Sequence, residues 1–338
     1  MKTLTSTPNK LPLVELHKEP DGSVSKAAFA KDVEAGLSKK NKTLSSRYFY
    51  DSRGSQLFQD IMALPEYYLT RSEFEVLTDQ KEAIAAEVAA EGFFHLIDLG
   101  AGDALKTKIL LRELHKQKQQ FDYVPVDISG HAMQELTERL HHELPDVPVQ
   151  AVVGEYIQAL EWLQEHKSER KVVLFLGSNI GNFTSDESMA FLKIVRSYLG
   201  SGDKLLMGMD LRKDPNTILD AYDDKTGVTA AFNLNLLRRI NEELGGNFDL
   251  NCFSHYATYD PQAGVMRSYL VSRKRQEVWI EAIGKMFSFT AWETIHTENS
   301  HKYSLEQAQE MGKATNFSIE TVFLDKNQYF ADILFAVK

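Results

Sequence analysis

The chain has 338 residues, 43 % of them hydrophobic, enough to build one large or two ordinary folded units and to set disorder aside. Its 38 basic and 48 acidic residues give a formal charge of −10 with no long basic stretch to line a phosphate backbone, so nucleic acid is not an expected partner. Cys252 is the only cysteine, which excludes an internal disulfide; no run approaches the roughly 18 apolar residues of a membrane span and the first residues lack a signal-peptide core, so a cytoplasmic protein without a membrane partner is expected.

Residues 1–12, rich in Thr, Ser, Pro and Lys, read as a mobile tail. From Ala27 to Gln80 the pattern is mostly helical, interrupted at "LPEYY"; Thr70, three residues before Glu73, then makes a capping-box pattern for a helix reaching about Glu91. Short apolar runs follow: "FFHLIDLG" (93–100), "DYVPVD" (122–127), "VPVQAVVGEY" (147–156), "VVLFLG" (172–177) and "KLLMGMDL" (204–211). Amphipathic stretches separate them, the first with Leu105, Ile109 and Leu114 on one face, and this alternation predicts an α/β fold with a parallel, doubly wound sheet. After Leu211 the alternation stops. Residues 213–246 read as helical, and "GVMRSYLVSRKRQEVWIEAI" as two antiparallel strands, together a second lobe inserted into the first. "FSIETVFLDKNQYFADILFAVK" closes the chain as a hairpin that returns to the sheet.

The first run ends at Asp98 and is followed by Gly100 and Gly102, where a backbone without side chains can approach a ligand and the next helix offers its N-terminal amides. The third glycine of a dinucleotide fingerprint would fall at Leu105, which argues against an oxidoreductase. Asp127 ends the second run, where a carboxylate can accept from ribose hydroxyls, although a helix cap is the plain alternative. Glu155 and Tyr156 end the third run at the same rim. Each of these residues alone is more often structural; their recurrence at successive carboxyl ends of strands favours a ligand crevice. With the closing antiparallel hairpin, they outline a class I, Rossmann-like methyltransferase using S-adenosylmethionine. The ten histidines suggest no metal site: His141 and His142 diverge on a helix, and His296 and His301 stand apart. Ser178 lacks a surrounding G-x-S-x-G, so a hydrolase is discounted.

Four further stretches are specific: "FYDSRGSQLFQDIMALPEYYLTR" (49–71), "FLGSNIGNF" (175–183), "DLRKDPNTILDAYDD" (210–224) and "TENSHKYS" (297–304). With "DLGAGDALKT" they closely resemble the histidine Nα-methyltransferase family of ergothioneine biosynthesis, from about Ser45 to the C-terminus. The resemblance implies a methyltransferase domain (73–211 and 301–338) and an α+β substrate-binding lobe (13–72 and 212–300). It also implies trimethylation of the α-amine of L-histidine to hercynine, with three molecules of S-adenosylmethionine consumed, no metal and no obligatory protein partner. Gly100 and Lys106 would lie along the methionine part of the cofactor, with Gly102 also on the cofactor, Asp127 on the ribose, and Glu155 and Tyr156 near the adenine. Asn182 and Tyr222 would hold the substrate carboxylate, Tyr67 and Tyr50 would border the amine and imidazole, and Glu298 and Ser300 would read the imidazole. Tyr50 is the candidate neighbour of the reacting amine, and Met266 an apolar wall. One departure is Asn179, where the family pattern has threonine. The resemblance includes no counterpart of the sulfoxide-synthase module fused in fungal relatives, so later pathway steps are expected from another protein.

Residue chemistry supports the reader pair independently, although without the resemblance Glu298 reads more simply as a solvated loop acid and Met266 as core packing. A carboxylate accepts an imidazole N–H, a hydroxyl serves the other ring nitrogen, and a spacing of two on an extended segment turns both side chains to one side. Two alternatives stay open: a related methyltransferase for another amino acid or small amine, and a non-catalytic module that senses S-adenosylmethionine or histidine.

Overall fold

The computed structural model describes residues 13–16 and 25–337; the expected mobile tail at 1–12 lies outside them. In chain order, β1 (Leu13–Glu15) is followed by α1 (Lys26–Leu37), β2 (Lys42–Thr43), α2 (Ser52–Ala63), α3 (Tyr68–Asp79) and α4 (Lys81–Ala89). The alternating section supplies β3 (Phe94–Leu99), α5 (Thr107–Lys116), β4 (Phe121–Asp127), α6 (Gly130–Glu143), β5 (Ala151–Val153), α7 (Tyr156–His166), β6 (Lys171–Phe175), α8 (Ser185–Ser197) and β7 (Lys204–Asp210). Next come α9 (Pro215–Tyr222), α10 (Val228–Leu244), β8 (Phe253–Asp260), β9 (Val265–Ser272), β10 (Gln276–Ile280), β11 (Lys285–Phe289) and β12 (Thr294–His301). The chain closes with α11 (Leu305–Ala314), β13 (Phe317–Leu324) and β14 (Phe330–Val337).

Eight strands form the main sheet in the order β1-β5-β4-β3-β6-β7-β14-β13. It is parallel from β1 to β7, and β14 lies antiparallel between β7 and β13, as the final hairpin predicted. The chain runs from β3 outward to β5 and returns to β6 on the other side of β3, which makes the carboxyl ends of β3 and β6 the switch point where open α/β sheets bind ligands. Every residue of β3 and β7 is buried, as expected of strands covered on both faces. One apolar cluster joins the sheet to α4, α5 and α6, and another joins it to α7, α8 and α11. A third cluster draws on residues 29–69 and 218–295 and packs α1, α2, α9 and α10 against a four-stranded sheet, β2-β12-β9-β8, and the β10–β11 hairpin.

Five local expectations change. β1, placed by sequence in the substrate lobe, pairs with edge strand β5 (Leu13 opposite Ala151), because a free sheet edge accepts even three residues of extended chain. Helix α3 begins at Tyr68 without a side-chain cap, so Thr70 stands inside the helix and Glu73 serves a buried ion pair instead of a capping box; the helix also breaks at Gln80 before α4. The third apolar run is strand only at Ala151–Val153. Leu105 precedes α5 and is exposed, the buried stripe being Leu110, Leu111 and Leu114. β9 and β10 do not pair with each other: β9 lies between β8 and β12, and β10 pairs with β11.

Candidate active site

The turn after β3 is built around positive φ: Gly100 at 80° and Gly102 at 53°. A β-carbon on Gly100 would stand 2.9 Å from the Tyr156 hydroxyl and 3.5 Å from Asn179 Nδ2, whereas one on Gly102 would meet open space. Only glycine suits the first position on both counts. Beneath the turn, buried Asp98 accepts from Thr107 Oγ1 (2.6 Å) and the Tyr123 hydroxyl (2.8 Å), and burial pushes its carboxyl up to about 6. Through these two bonds it pins the turn to α5 and β4. Asp127, at the end of β4, accepts from Gly102 N (3.1 Å) and Ser129 N (3.0 Å), so it ties the first two strand ends together; burial raises its carboxyl above the usual range. Each of its oxygens keeps acceptor capacity for a hydroxyl.

Lys106 heads α5 and forms an ion pair with buried Glu73, while Glu73 Oε1 accepts from Gly177 N at 2.6 Å. Glu155 caps α7 in a capping box with Gln158 and meets Arg47 at 3.0 Å, on the exposed rim. The Tyr156 ring packs edge-on against Phe175, its hydroxyl over Gly100. The open turn, the acceptor capacity of Asp127 and the ammonium of Lys106 form a donor and acceptor set that fits a nucleoside bearing an amino-acid tail, as S-adenosylmethionine does.

Across the switch point lies a second polar group. β12 is extended, so Glu298, Ser300 and, just past its end, Lys302 share one side. Lys302 is 1 % exposed and spends its three donors on Asp210 Oδ2 (2.7 Å), the Tyr222 hydroxyl (2.8 Å) and Ser300 Oγ (2.8 Å). Asp210, itself 0 % exposed at the end of β7, also receives Lys213 and the Tyr68 hydroxyl (2.8 Å), and its amide donates to Ser178 Oγ (2.9 Å). Burial lowers Lys213 to about 8.

Tyr222 and Ser300 are hydrogen-bonded to each other at 2.8 Å. Sequence assigned them to opposite ends of the substrate; Lys302 draws both hydroxyls to one ammonium, so they act as one unit. The pair carries two O–H protons, one of which lies between the two oxygens while Lys302 donates to each, leaving a single O–H to donate outward. Glu298 is half-buried and, among the described residues, forms no hydrogen bond or ion pair through its side chain; burial pushes its carboxyl up to about 7, with Lys302 pulling the other way.

Aromatic rings wall the space around Glu298. Tyr67, at the start of α3, packs edge-on against Tyr222 at 6.1 Å between centroids, and Tyr50 against Phe58 and Phe232. Tyr50 is 45 % exposed at the mouth beside Phe58 and Phe232, within electrostatic reach of Glu298, Tyr156 and Tyr222. Burial first, then Tyr222, Tyr50 and Glu298, hold the buried Tyr67 hydroxyl well above the ordinary tyrosine value, and the hydroxyl of Tyr50, at the mouth, is shifted in the same direction, so both remain neutral. Met266 pairs with Ser300 across β9 and β12 and is 1 % exposed, a floor below the hydroxyl pair. Asn182 ends the short helix Asn179–Asn182 after β6, half-buried and without a side-chain hydrogen bond among the described residues.

The profile of the histidine-specific, S-adenosylmethionine-dependent methyltransferases matches residues 29–337. The chain belongs to that family. It is 36 % identical over 284 residues to histidine N-alpha-methyltransferase of Mycolicibacterium smegmatis, covering 82 % of this chain and 85 % of that one. It is 31 % identical to ergothioneine biosynthesis protein 1 of Neurospora crassa over 302 residues, 87 % of this chain and 33 % of the fungal one. It is also 28 % identical to the N-methyltransferase fsqC of Aspergillus fumigatus, over 79 % of this chain and 72 % of that one. The strand order and closing antiparallel hairpin are those of a class I methyltransferase, as sequence predicted.

In this family member, the fold brings Asp127, Tyr156 and Lys106 around the Gly100–Gly102 turn and Tyr67, Tyr222, Met266, Glu298 and Ser300 to a second group, while Glu155 stands on the exposed rim and Tyr50 at the mouth. The sequence reading passed over Lys302 and Asp210, although both lie in the quoted stretches. Lys302 continues the Glu298, Ser300 alternation, and that period was the available signal. Among the described residues, no group of three or more His, Cys, Asp or Glu side chains is placed to hold a metal, and no helix is long and apolar enough to cross a membrane.

Proposed function

We propose that this chain transfers three methyl groups from S-adenosylmethionine to the α-amine of L-histidine, giving hercynine for ergothioneine biosynthesis, and that residues 212–300 with the N-terminal helices form its substrate-binding lobe. The observation that carries the histidine reading is the pairing of Glu298, a carboxylate without a partner among the described residues, with the one outward O–H of the Tyr222–Ser300 unit. A neutral imidazole has one N–H donor and one acceptor nitrogen, and this wall offers the complement. A substrate without both would leave a buried group unpaired, a loss that supports strong discrimination.

Gly100, Gly102, Lys106, Asp127 and Tyr156 would hold the cofactor, with Glu155 at its rim. The bound cofactor supplies an electrophilic methyl group on a sulfonium. The chain's residues do the rest by positioning: Asn182 and Tyr67 orient the amino-acid end, the Tyr222–Ser300 unit and Glu298 fix the ring, and the amine between them is set in line for displacement. The neutral rings of Tyr50, Tyr67 and Tyr222 present π faces to the growing methylammonium charge. None of the three serves as a base near neutral pH, because each hydroxyl holds its proton more tightly than an ordinary tyrosine. Methylation ends at the trimethylated product, which has no lone pair left. The test is a substrate panel: with S-adenosylmethionine, the purified protein methylates histidine in strong preference to tryptophan, tyrosine and other amino acids, and equal rates across the panel would remove the histidine assignment.

A further inference from the structure

Beside the first turn lies a charge cluster that the displacement itself does not use. Glu73 of α3 is 1 % exposed and Asp332 of β14 is 0 % exposed. Glu73 Oε2 pairs with Lys106 Nζ, and its Oε1 accepts from Gly177 N. Both oxygens of Asp332 lack a hydrogen-bond partner among the described residues. Asp332 stands opposite Gly208 in the β7–β14 register. A β-carbon on Gly208 would overlap Glu73 Oε1 and lie 3.2 Å from both Asp332 Oδ1 and Gly177 N. The missing side chain at 208 thus lets two carboxyl groups, from different elements, converge beside a single ammonium.

Two buried carboxylates against one lysine leave a net negative charge without water to solvate it, a state that buried acids escape by taking a proton. Burial, then the charge of Glu73, pushes Asp332 well above the carboxylate range, with Lys106 opposing. Protonated, Asp332 becomes a donor on the side of Gly208 where Glu73 Oε1 lies, and one of the two negative charges beside Lys106 is removed. Lys106 Nζ would lie 3.3 Å from a β-carbon on Gly177, so the same loop amide that binds Glu73 borders the ammonium.

We propose that Glu73 and Asp332 act together as positioning residues for Lys106, holding its ammonium at the first turn for the carboxylate of the cofactor's methionine. The inference rests on the reading of Lys106 as a cofactor contact and deepens it. In the free protein Glu73 fixes the reach of the ammonium. When a ligand carboxylate draws on Lys106, the Asp332 proton and the Gly177 amide stabilise the negative charge left on Glu73.

The test is calorimetric titration with S-adenosylhomocysteine, which keeps the methionine carboxylate, together with separate KM values for S-adenosylmethionine and histidine. Glu73→Gln is expected to weaken S-adenosylhomocysteine binding at least about tenfold, raise the KM for the methyl donor and leave that for histidine nearly in place. Asp332→Asn keeps an uncharged donor and retains most of the affinity, whereas Asp332→Leu loses it. Unchanged affinity in Glu73→Gln, or equal loss in Asp332→Asn and Asp332→Leu, would overturn the positioning role. Lys106→Met separates the two readings: if it weakens binding while Glu73→Gln does not, only the positioning proposal fails; if it binds normally, Lys106 is no cofactor contact. Should Glu73→Gln not fold, infrared spectroscopy of the intact protein at neutral pH decides. A protonated carboxylic acid band that disappears in Asp332→Asn supports the proposal, and its absence from the parent contradicts it.

Discussion

Replacing Glu298 by glutamine separates stability from substrate recognition. Burial raises the Glu298 carboxyl from 4.5 to about 7 in the folded protein. Between those values the folded chain holds a proton that the unfolded chain has released. Stability from this site is therefore fully present below the unfolded value and is lost as pH rises through about 7. At about 1.4 kcal/mol per tenfold, the separation corresponds to about 3 kcal/mol at most, of which about 2.5 kcal/mol is lost between pH 5 and pH 8. Glutamine cannot titrate. In urea unfolding without ligand, Glu298→Gln gains on the parent by about 2.5 kcal/mol over that interval, since every other group is common to both proteins. The same substitution removes a charged acceptor and weakens histidine binding by roughly tenfold or more. Parallel stability profiles for parent and variant from pH 5 to pH 8 would show that Glu298 is an ordinary solvated acid, and would take away the argument that it is held ready for a ligand.

Lys302→Met leaves Asp210 fully buried with Lys213 as its remaining close cation, and is expected to cost about 3 kcal/mol in urea unfolding. Most of that loss returns in the Asp210→Asn/Lys302→Met double variant, and a single variant as stable as the parent would contradict the account of the network. Gly100→Ala forces a side chain onto a residue at φ 80° and within 2.9 Å of the Tyr156 hydroxyl. It should weaken S-adenosylhomocysteine binding at least about tenfold in calorimetry, while full retention would show that the turn can open elsewhere.

What the sequence revealed was local. The alternation of apolar runs and amphipathic stretches set out β3 to β7, because strands buried on both faces write continuous apolar stretches. Asp98, Gly100, Gly102 and Asp127 were visible because strand ends occur at fixed places in such a pattern. The misreadings came from contacts between distant segments. Thr70 and Glu73 have capping-box spacing, yet the carboxylate of Glu73 goes to Lys106, 33 residues on, and to the Gly177 amide, 104 residues on. Lys302 meets Asp210 across 92 positions of chain, and nothing in either neighbourhood announces the other. Tyr222 and Ser300 were each singled out, but only the fold shows that one ammonium joins them. β1 could not be assigned from three residues, since its place depends on the free edge of β5.

The most direct measurement is product stoichiometry. Purified protein supplied with L-histidine and excess S-adenosylmethionine is followed by mass spectrometry for the amino acid and by chromatography for S-adenosylhomocysteine. The expected final product is three methyl groups heavier than histidine, all on the α-nitrogen, with three equivalents of S-adenosylhomocysteine for each histidine consumed. A product methylated on the imidazole, or no consumption of histidine while another amine is methylated, would contradict it.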